Sequence, residues 1–123
     1  NLTTKDLAFA TDYCGVRSGR DYDKWSDCHL TKEKADQVLC PMIKESPVNI
    51  ECKVSQIQEL GSHHMFIADV VAVDEHNTFH LNDSNLISYS HGTYLTLGEP
   101  VGKFGYSIQK KKKKKEHKRK AKS

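Results

Sequence analysis

Ser46-Pro47-Val48-Asn49-Ile50-Glu51-Cys52-Lys53-Val54-Ser55-Gln56-Ile57, followed by Gly61-Ser62-His63-His64 and then Met65-Phe66-Ile67-Ala68-Asp69-Val70-Val71-Ala72-Val73, is the stretch on which the fold turns. In its first run Val48, Ile50, Cys52 and Val54 alternate with Asn49, Glu51, Lys53 and Ser55, and the alternation breaks near Gln56. A period of two describes a strand with one buried and one wet face. The apolar set is expected inside. Met65 to Val73 is denser in β-branched and apolar residues and suits a central strand. The intervening Gly-Ser-His-His is short enough to be the connection of a hairpin.

Upstream, residues 3–14 read as a helix, with Thr3 or Thr4 as N-cap, Asp6 in the first turn, and Leu7, Phe9 and Ala10 as its apolar side. Gly15 is placed to end it. Asp21 to Asp27 suits a second short helix with Trp25 inward, and Thr31 to Asp36 is polar and loop-like. Pro41 and Pro47 bracket an edge or connecting segment. Downstream, Asn77 to Asn85 reads as a loop. Leu86–Tyr89 and Tyr94–Leu97 are short strands separated by Ser90-His91-Gly92, and Phe104–Ile108 is a last short strand. Short strands with closely spaced turns and two leading helices predict a mainly β fold with minor α content, barrel-like in type. A helix this near the start of the chain also suggests that a strand precedes it. The strands present are too few to close a barrel on their own.

Charge divides the chain in two. Ten of the nineteen Lys and Arg and one of the sixteen Asp and Glu lie in Lys110–Ser123, so this segment carries +9 and residues 1–109 carry −6. The segment has no large apolar residue to offset the entropy of ordering, and it predicts a disordered basic tail after a single folded domain over residues 1–109. An argument for nucleic acid or another polyanion rests on that tail alone, and no aromatic side chain is interleaved in it for base stacking. No apolar run approaches the length of a membrane span. The four cysteines at 14, 28, 40 and 52 form no C-x-x-C pair. Their spacing therefore does not indicate a metal site, and reduced thiols in a cytoplasmic protein are the expectation.

Ser18-Gly19-Arg20 before a short helix offers backbone N–H groups, a hydroxyl and a guanidinium, with the Lys24 ammonium one turn further on. That arrangement suits a phosphate group. An ordinary turn whose Arg and Lys are solvated or pair with Asp21 and Asp23 fits the same residues. His63 and His64 sit at the hairpin connection, where adjacent side chains point to opposite faces and do not converge on one metal. Tyr89 and Tyr94 suit either an aromatic pocket or a core.

Taken together, four ordered blocks resemble the flavin reductase-like family of FMN-binding split barrels, which includes flavoredoxin-like electron carriers. They are Ala10 to Lys24, Ser46 to Val54, Gly61 to Val73 and Tyr89 to Tyr106. The resemblance implies a Greek-key split β-barrel, matched here in its C-terminal portion and lacking the family's front strands. It implies FMN as cofactor, a homodimer with the flavin near the interface, and electron transfer between NAD(P)H, the flavin and a redox partner. On this resemblance Lys24 lies near the flavin with Ser18, Gly19 and Arg20 shaping the same corner. His63 comes close to the ring system as the catalytic candidate, and Tyr89 packs beside the isoalloxazine. Two departures stand out: the stretch from Asp74 to Leu86 is shorter than the family's usual insertion, and the lysine run is not a family hallmark. The alternative is a non-catalytic fragment whose lysine-rich tail binds nucleic acid or another polyanion, in which case removing residues 110–123 abolishes binding.

Overall fold

The computed structural model describes residues 1–76 and 85–108. An extended N-terminal segment leads through a 3₁₀ turn (Lys5–Leu7) into helix α1 (Ala8–Val16), and a short helix α2 (Lys24–Asp27) follows. Six strands come next: β1 (Lys32–Glu33), β2 (Met42–Ile43), β3 (Val48–Glu59), β4 (His64–Glu75), β5 (Ile87–Ser90) and β6 (Thr93–Thr96). They pair as three antiparallel two-stranded sheets, β1–β2, β3–β4 and β5–β6. No barrel closes among the described residues. None of the described helices is long and apolar enough to cross a membrane.

The long hairpin is the frame of the molecule. Twelve residues per strand make it about 36 Å from base to tip. The sequence break near Gln56 is a β-bulge: Val54 pairs with Ala68 and Gln56 with Ile67, so Ser55 is the extra residue. Its hydroxyl donates to the Ile67 carbonyl at 3.1 Å, so the irregular step still ties the two strands together. A second shift, between Glu51 and Cys52, leaves Val71 as the extra residue on the opposite strand. Gly61, at φ +81°, supplies the left-handed turn conformation, and Leu60 N–H closes the turn on the His63 carbonyl at 2.8 Å.

At the base of the hairpin the faces are not as the alternation predicts. Asn49 and Glu51 are buried, at 4% and 3% exposure, whereas Ile50 and Val54 are exposed. Backbone polar groups of the preceding loop explain the reversal, because a buried carboxylate or amide beneath them satisfies donors and acceptors that an apolar side chain would leave empty. The Glu51 carboxylate accepts from the N–H groups of Asp36 (3.1 Å), Gln37 (2.7 Å) and Val38 (3.0 Å). The Asn49 amide accepts from Ile43 N–H at 3.2 Å and donates to the Ile43 carbonyl at 3.1 Å. Among the described residues, Val48 and Ala35 are the buried apolar ones. The register pairs Ile50–Val73 and Ile57–Phe66 remain open to solvent.

The N-terminal segment joins this base to the last hairpin. Leu2 N–H donates to the Val48 carbonyl at 2.9 Å, and the fully buried Ser46 hydroxyl lies 2.7 Å from Leu2 O and 2.9 Å from Val48 O. Lys5 N–H donates to Asn85 O at 2.7 Å and Ile87 N–H to Thr3 O at 3.1 Å, flanking a bridge between Thr4 and Leu86. Residues 2–5 therefore act as a short strand between two hairpins, ahead of the helix, although regular ladder pairing is confined to that one bridge.

Four local expectations need correction. Gly15 does not end α1: its φ is not positive, it stays helical, and the chain turns extended at Arg17 (φ −121°, ψ 144°). The second helix starts at Lys24 rather than Asp21, capped by the Asp23 carboxylate accepting from Ser26 N–H at 3.3 Å. Lys32 and Glu33, expected in a loop, pair with Ile43 and Met42. Phe104–Ile108 is not a strand but a turn entering helical conformation at residues 106–108, with Tyr106 N–H on Lys103 O and Ile108 N–H on Gly105 O. The basic tail and most of the Asn77–Asn85 loop lie outside the described residues.

Truncation at Asn49 tests the polar base. Asn49→Ala strips the acceptor from Ile43 N–H and one of two donors from the Ile43 carbonyl, which keeps Ser46 N–H, and is expected to cost about 2 kcal/mol in urea denaturation. Ser55→Ala, on an exposed bulge, is expected to cost less than about 1 kcal/mol.

Glu51 and Asp74 provide a second test. Burial pushes Glu51 up, but hydrogen bonds from Gln37 N–H, the Asp74 side chain, Asp36 N–H and Val38 N–H outweigh it, so its carboxyl titrates below its ordinary value. Asp74 is raised, first by its hydrogen bond to Glu51 and then by burial and by the charges of Glu51, Asp36 and Glu33. Its Oδ2 is buried and meets no N–H or O–H donor, which disfavours the charged form further. The stability contributed by protonated Asp74 is complete below its unfolded value of 3.8 and is lost as pH rises through the raised folded value. Asp74→Asn replaces that proton with a permanent N–H donor. It is expected to raise the thermal midpoint at neutral pH, with the advantage vanishing toward about pH 4.

Candidate functional site

The turn between α1 and α2 is organised from its ends inward. Tyr13, on α1, donates its hydroxyl to Asp27 Oδ2 on α2 at 2.6 Å. That hydrogen bond to a carboxylate, reinforced by burial and by the Asp27 charge, pushes the Tyr13 phenol up to about 12. Arg17 packs its guanidinium 4.9 Å from the centroids of both Tyr13 and Tyr22, whose rings meet edge to face at 6.1 Å. Lys24 Nζ donates to the Cys14 carbonyl at 2.8 Å, capping the C-terminal end of α1 with a positive charge. These contacts fix both ends of the turn.

Within it, the Ser18 hydroxyl accepts from Arg20 N–H at 3.3 Å and from Arg20 Nε at 3.4 Å, which folds the Arg20 side chain back over the turn. Gly19, Arg20, Asp21, Tyr22, Asp23, Lys24 and Trp25 line one open depression of about 530 Å³. Gly19 has open space where a Cβ would point. Two cations, two carboxylates and two aromatic rings thus share one surface hollow. Arg20 forms none of the salt bridges found among the described residues, where His64–Glu59 at 3.7 Å is such a contact.

Tyr89 and His63 lie on other elements. Tyr89, on β5, stands opposite Tyr94 on β6, with ring centroids 5.1 Å apart. Tyr94 donates its hydroxyl to Asp12 Oδ1 of α1 at 3.2 Å, which fastens the last hairpin to the helix; burial and then the Asp12 charge push the Tyr94 phenol up. Tyr89 itself is 65% exposed. His63 sits at the tip of the β3–β4 hairpin, its Nδ1 2.8 Å from the Ser62 hydroxyl. The other hairpin tip repeats the device, with His91 Nδ1 2.9 Å from Ser90 Oγ.

The structure therefore brings Gly19, Arg20 and Lys24 together, with Ser18 bracing Arg20. It places Tyr89 on a hairpin tied to the same helix, and it sets His63 apart at the end of the long hairpin. Sequence reasoning passed over Arg17, Tyr13 and Asp27, which hold the corner in shape. A spacing signal existed, since a Tyr at 13, an Arg at 17 and a Tyr at 22 flank the turn, but only the chain reversal makes them neighbours. Among the described residues no group of three His, Cys, Asp or Glu side chains is placed to hold a metal ion.

Comparison with known proteins matches these elements to one family. Residues 1–98 match the flavin reductase like domain. The chain superposes on a flavoredoxin from Methanosarcina acetivorans with a TM-score of 0.70 at 25% identity, covering 88% of this chain and 63% of that one. A flavin reductase with a split barrel domain from Shewanella frigidimarina gives 0.71 at 18% identity, covering 85% and 57%. The flavoredoxin of Desulfovibrio vulgaris gives 0.68 at 23% identity, covering 84% and 60%. A protein of Archaeoglobus fulgidus is 32% identical over 65 residues, which are 53% of this chain and 37% of that protein. This chain thus spans less than two thirds of the length of each of these relatives. With its paired hairpins, its leading helices and a family match over residues 1–98, the chain belongs to the flavin reductase-like domain family.

Proposed function

We propose that this chain supplies part of an FMN site in a cytoplasmic flavin-dependent oxidoreductase or electron carrier, which passes a hydride or electrons between NAD(P)H, the bound flavin and an acceptor. The observation that carries the reading is the open hollow of Gly19–Trp25, with Arg20 and Lys24 on its wall, in a chain of the flavin reductase-like family. The donor set suits the phosphate end of FMN. A guanidinium and an ammonium supply charge-assisted hydrogen bonds, and Gly19 lets the anion approach the backbone. Asp21 and Asp23 on the same wall disfavour a second anion and so favour one phosphate over a longer polyanion.

When bound, the flavin itself carries the two-electron chemistry, and the protein orients it and admits the partner. Ser18 holds Arg20 over the hollow, Lys24 anchors the hollow's floor to the end of α1, and the exposed Tyr89 ring offers an apolar face for a flat ligand. His63 is the catalytic candidate, and its place at the hairpin tip fits the homodimer that the resemblance implies. A hairpin about 36 Å long carries the imidazole of one copy to the corner of another. The solvent-exposed pairs Ile50–Val73 and Ile57–Phe66 supply apolar surface for such a contact.

Titrating the full chain into FMN while following flavin fluorescence tests the reading. Saturable quenching is expected. Arg20→Ala or Lys24→Ala is expected to weaken it about tenfold, the loss of one charge-assisted hydrogen bond. His63→Ala is expected to leave the quenching midpoint closer to the parent chain's and to slow nicotinamide oxidation. No quenching at high protein concentration overturns the assignment of the hollow to FMN.

A further inference from the structure

The paired links between α1 and α2 have a regular offset: Tyr13 bonds Asp27, and the next residue on each element is a cysteine. The Tyr13–Asp27 bond therefore holds Cys14 and Cys28 on facing ends of the α1–α2 turn, near enough for the Cys14 thiol to bear on that of Cys28. Lys24 secures the approach from both sides, because its Nζ donates to the Cys14 carbonyl at 2.8 Å while its own carbonyl accepts from Cys28 N–H at 3.1 Å. Leu30 lines one cavity with Cys14 and an adjoining one with Cys28. Both thiols are free. Cys40 and Cys52 are likewise exposed and free. Nothing in the proposed FMN role uses the Cys14–Cys28 pair.

We propose that Cys14 and Cys28 are a redox-active dithiol that reduces small-molecule disulfides and closes into a reversible Cys14–Cys28 bond. Cys14 is exposed and reacts first, whereas Cys28 is half-buried and its thiol is pushed up by burial, then by the neighbouring Cys14 and by Asp27. The Cys14 thiolate attacks one sulfur of RS–SR, that S–S bond breaks, and the leaving RS⁻ takes up a proton. The Cys14–SR bond so formed brings a disulfide sulfur beside Cys28 and takes away the Cys14 contribution to its raised thiol, leaving that of burial. Cys28 then loses its proton and attacks the Cys14 sulfur, which expels the second RS⁻. Two protein thiols are oxidised by two electrons, and one disulfide is reduced to two thiols. The new bond closes the loop from Cys14 to Cys28, which contains Ser18, Gly19, Arg20 and Lys24.

The experiment exposes the full chain to oxidised glutathione, then measures free thiols, intact mass and the disulfide map of a digest run without reductant. The expected product has lost two hydrogens and two thiols, carries no glutathione adduct, yields a Cys14–Cys28 crosslinked peptide, and reverts with dithiothreitol. Cys28→Ser is expected to trap one glutathione on Cys14. Cys14→Ser is expected to leave Cys28 reacting more slowly than Cys14 does in the parent chain, because Cys28 is half-buried. A Cys40→Ser/Cys52→Ser double variant, which keeps both helices intact, is expected to form the crosslink at the parent rate. Stable adducts on Cys14 with Cys28 present, a crosslink to Cys40 or Cys52, or no loss of thiols overturns the proposal.

Discussion

A buried hydroxyl with no solvent contact, that of Ser46, is the constraint from which the arrangement of the chain follows. It sits against the carbonyls of Leu2 and Val48, so the N-terminal segment, the loop before the long hairpin and the first strand of that hairpin meet at one atom. Asn49 and Glu51 extend the same logic by two further steps, each standing in for a backbone partner that the loop at residues 36–43 would otherwise lack. Two apolar residues, Ala35 and Val48, accompany these three buried polar ones. The centre of this chain is held by satisfied polar groups more than by oil-like packing, and unpaired groups there are expensive.

That balance explains what could be read in the sequence and what could not. The hairpin was legible in both its strands and its connection, because alternation and Gly61 are local signals. The bulge at Ser55 was legible as a break in phase. The face assignment was not: Val48, Ile50, Cys52 and Val54 look like the inner set until the loop folds over Asn49 and Glu51. Gly15 misled for a related reason, since a glycine ends a helix only where the chain takes a positive φ. The β1–β2 pair was invisible because two residues carry no periodicity.

Within the proposed phosphate corner, residue types were legible and geometry was not. Ser18, Gly19, Arg20 and Lys24 suited either an anion site or an ordinary turn by composition and spacing, and the structure sets Gly19, Arg20 and Lys24 around one hollow. The Lys24 ammonium, though, also serves the Cys14 carbonyl, a long-range contact that no local pattern announces. The clamp of Arg17 between Tyr13 and Tyr22 is likewise a product of chain reversal. His63 was placed correctly at a turn, but the length of the hairpin, and so its separation from the corner, depends on pairing.

The two irregular steps in the long hairpin lie on opposite strands, Ser55 on one and Val71 on the other. Each alone would displace every pair beyond it by one residue; together they cancel, so that Val48–Glu75 at the base and Glu59–His64 at the tip keep the same alignment and only the pairs from Cys52 to Val54 are slipped. Because each extra residue is unpaired, deleting either one would leave every pair and every facing in place, His63 included, and would only straighten the ribbon at that step. Single-residue length variation is thus absorbed at these two points, where it changes the local twist of the ribbon and not its alignment.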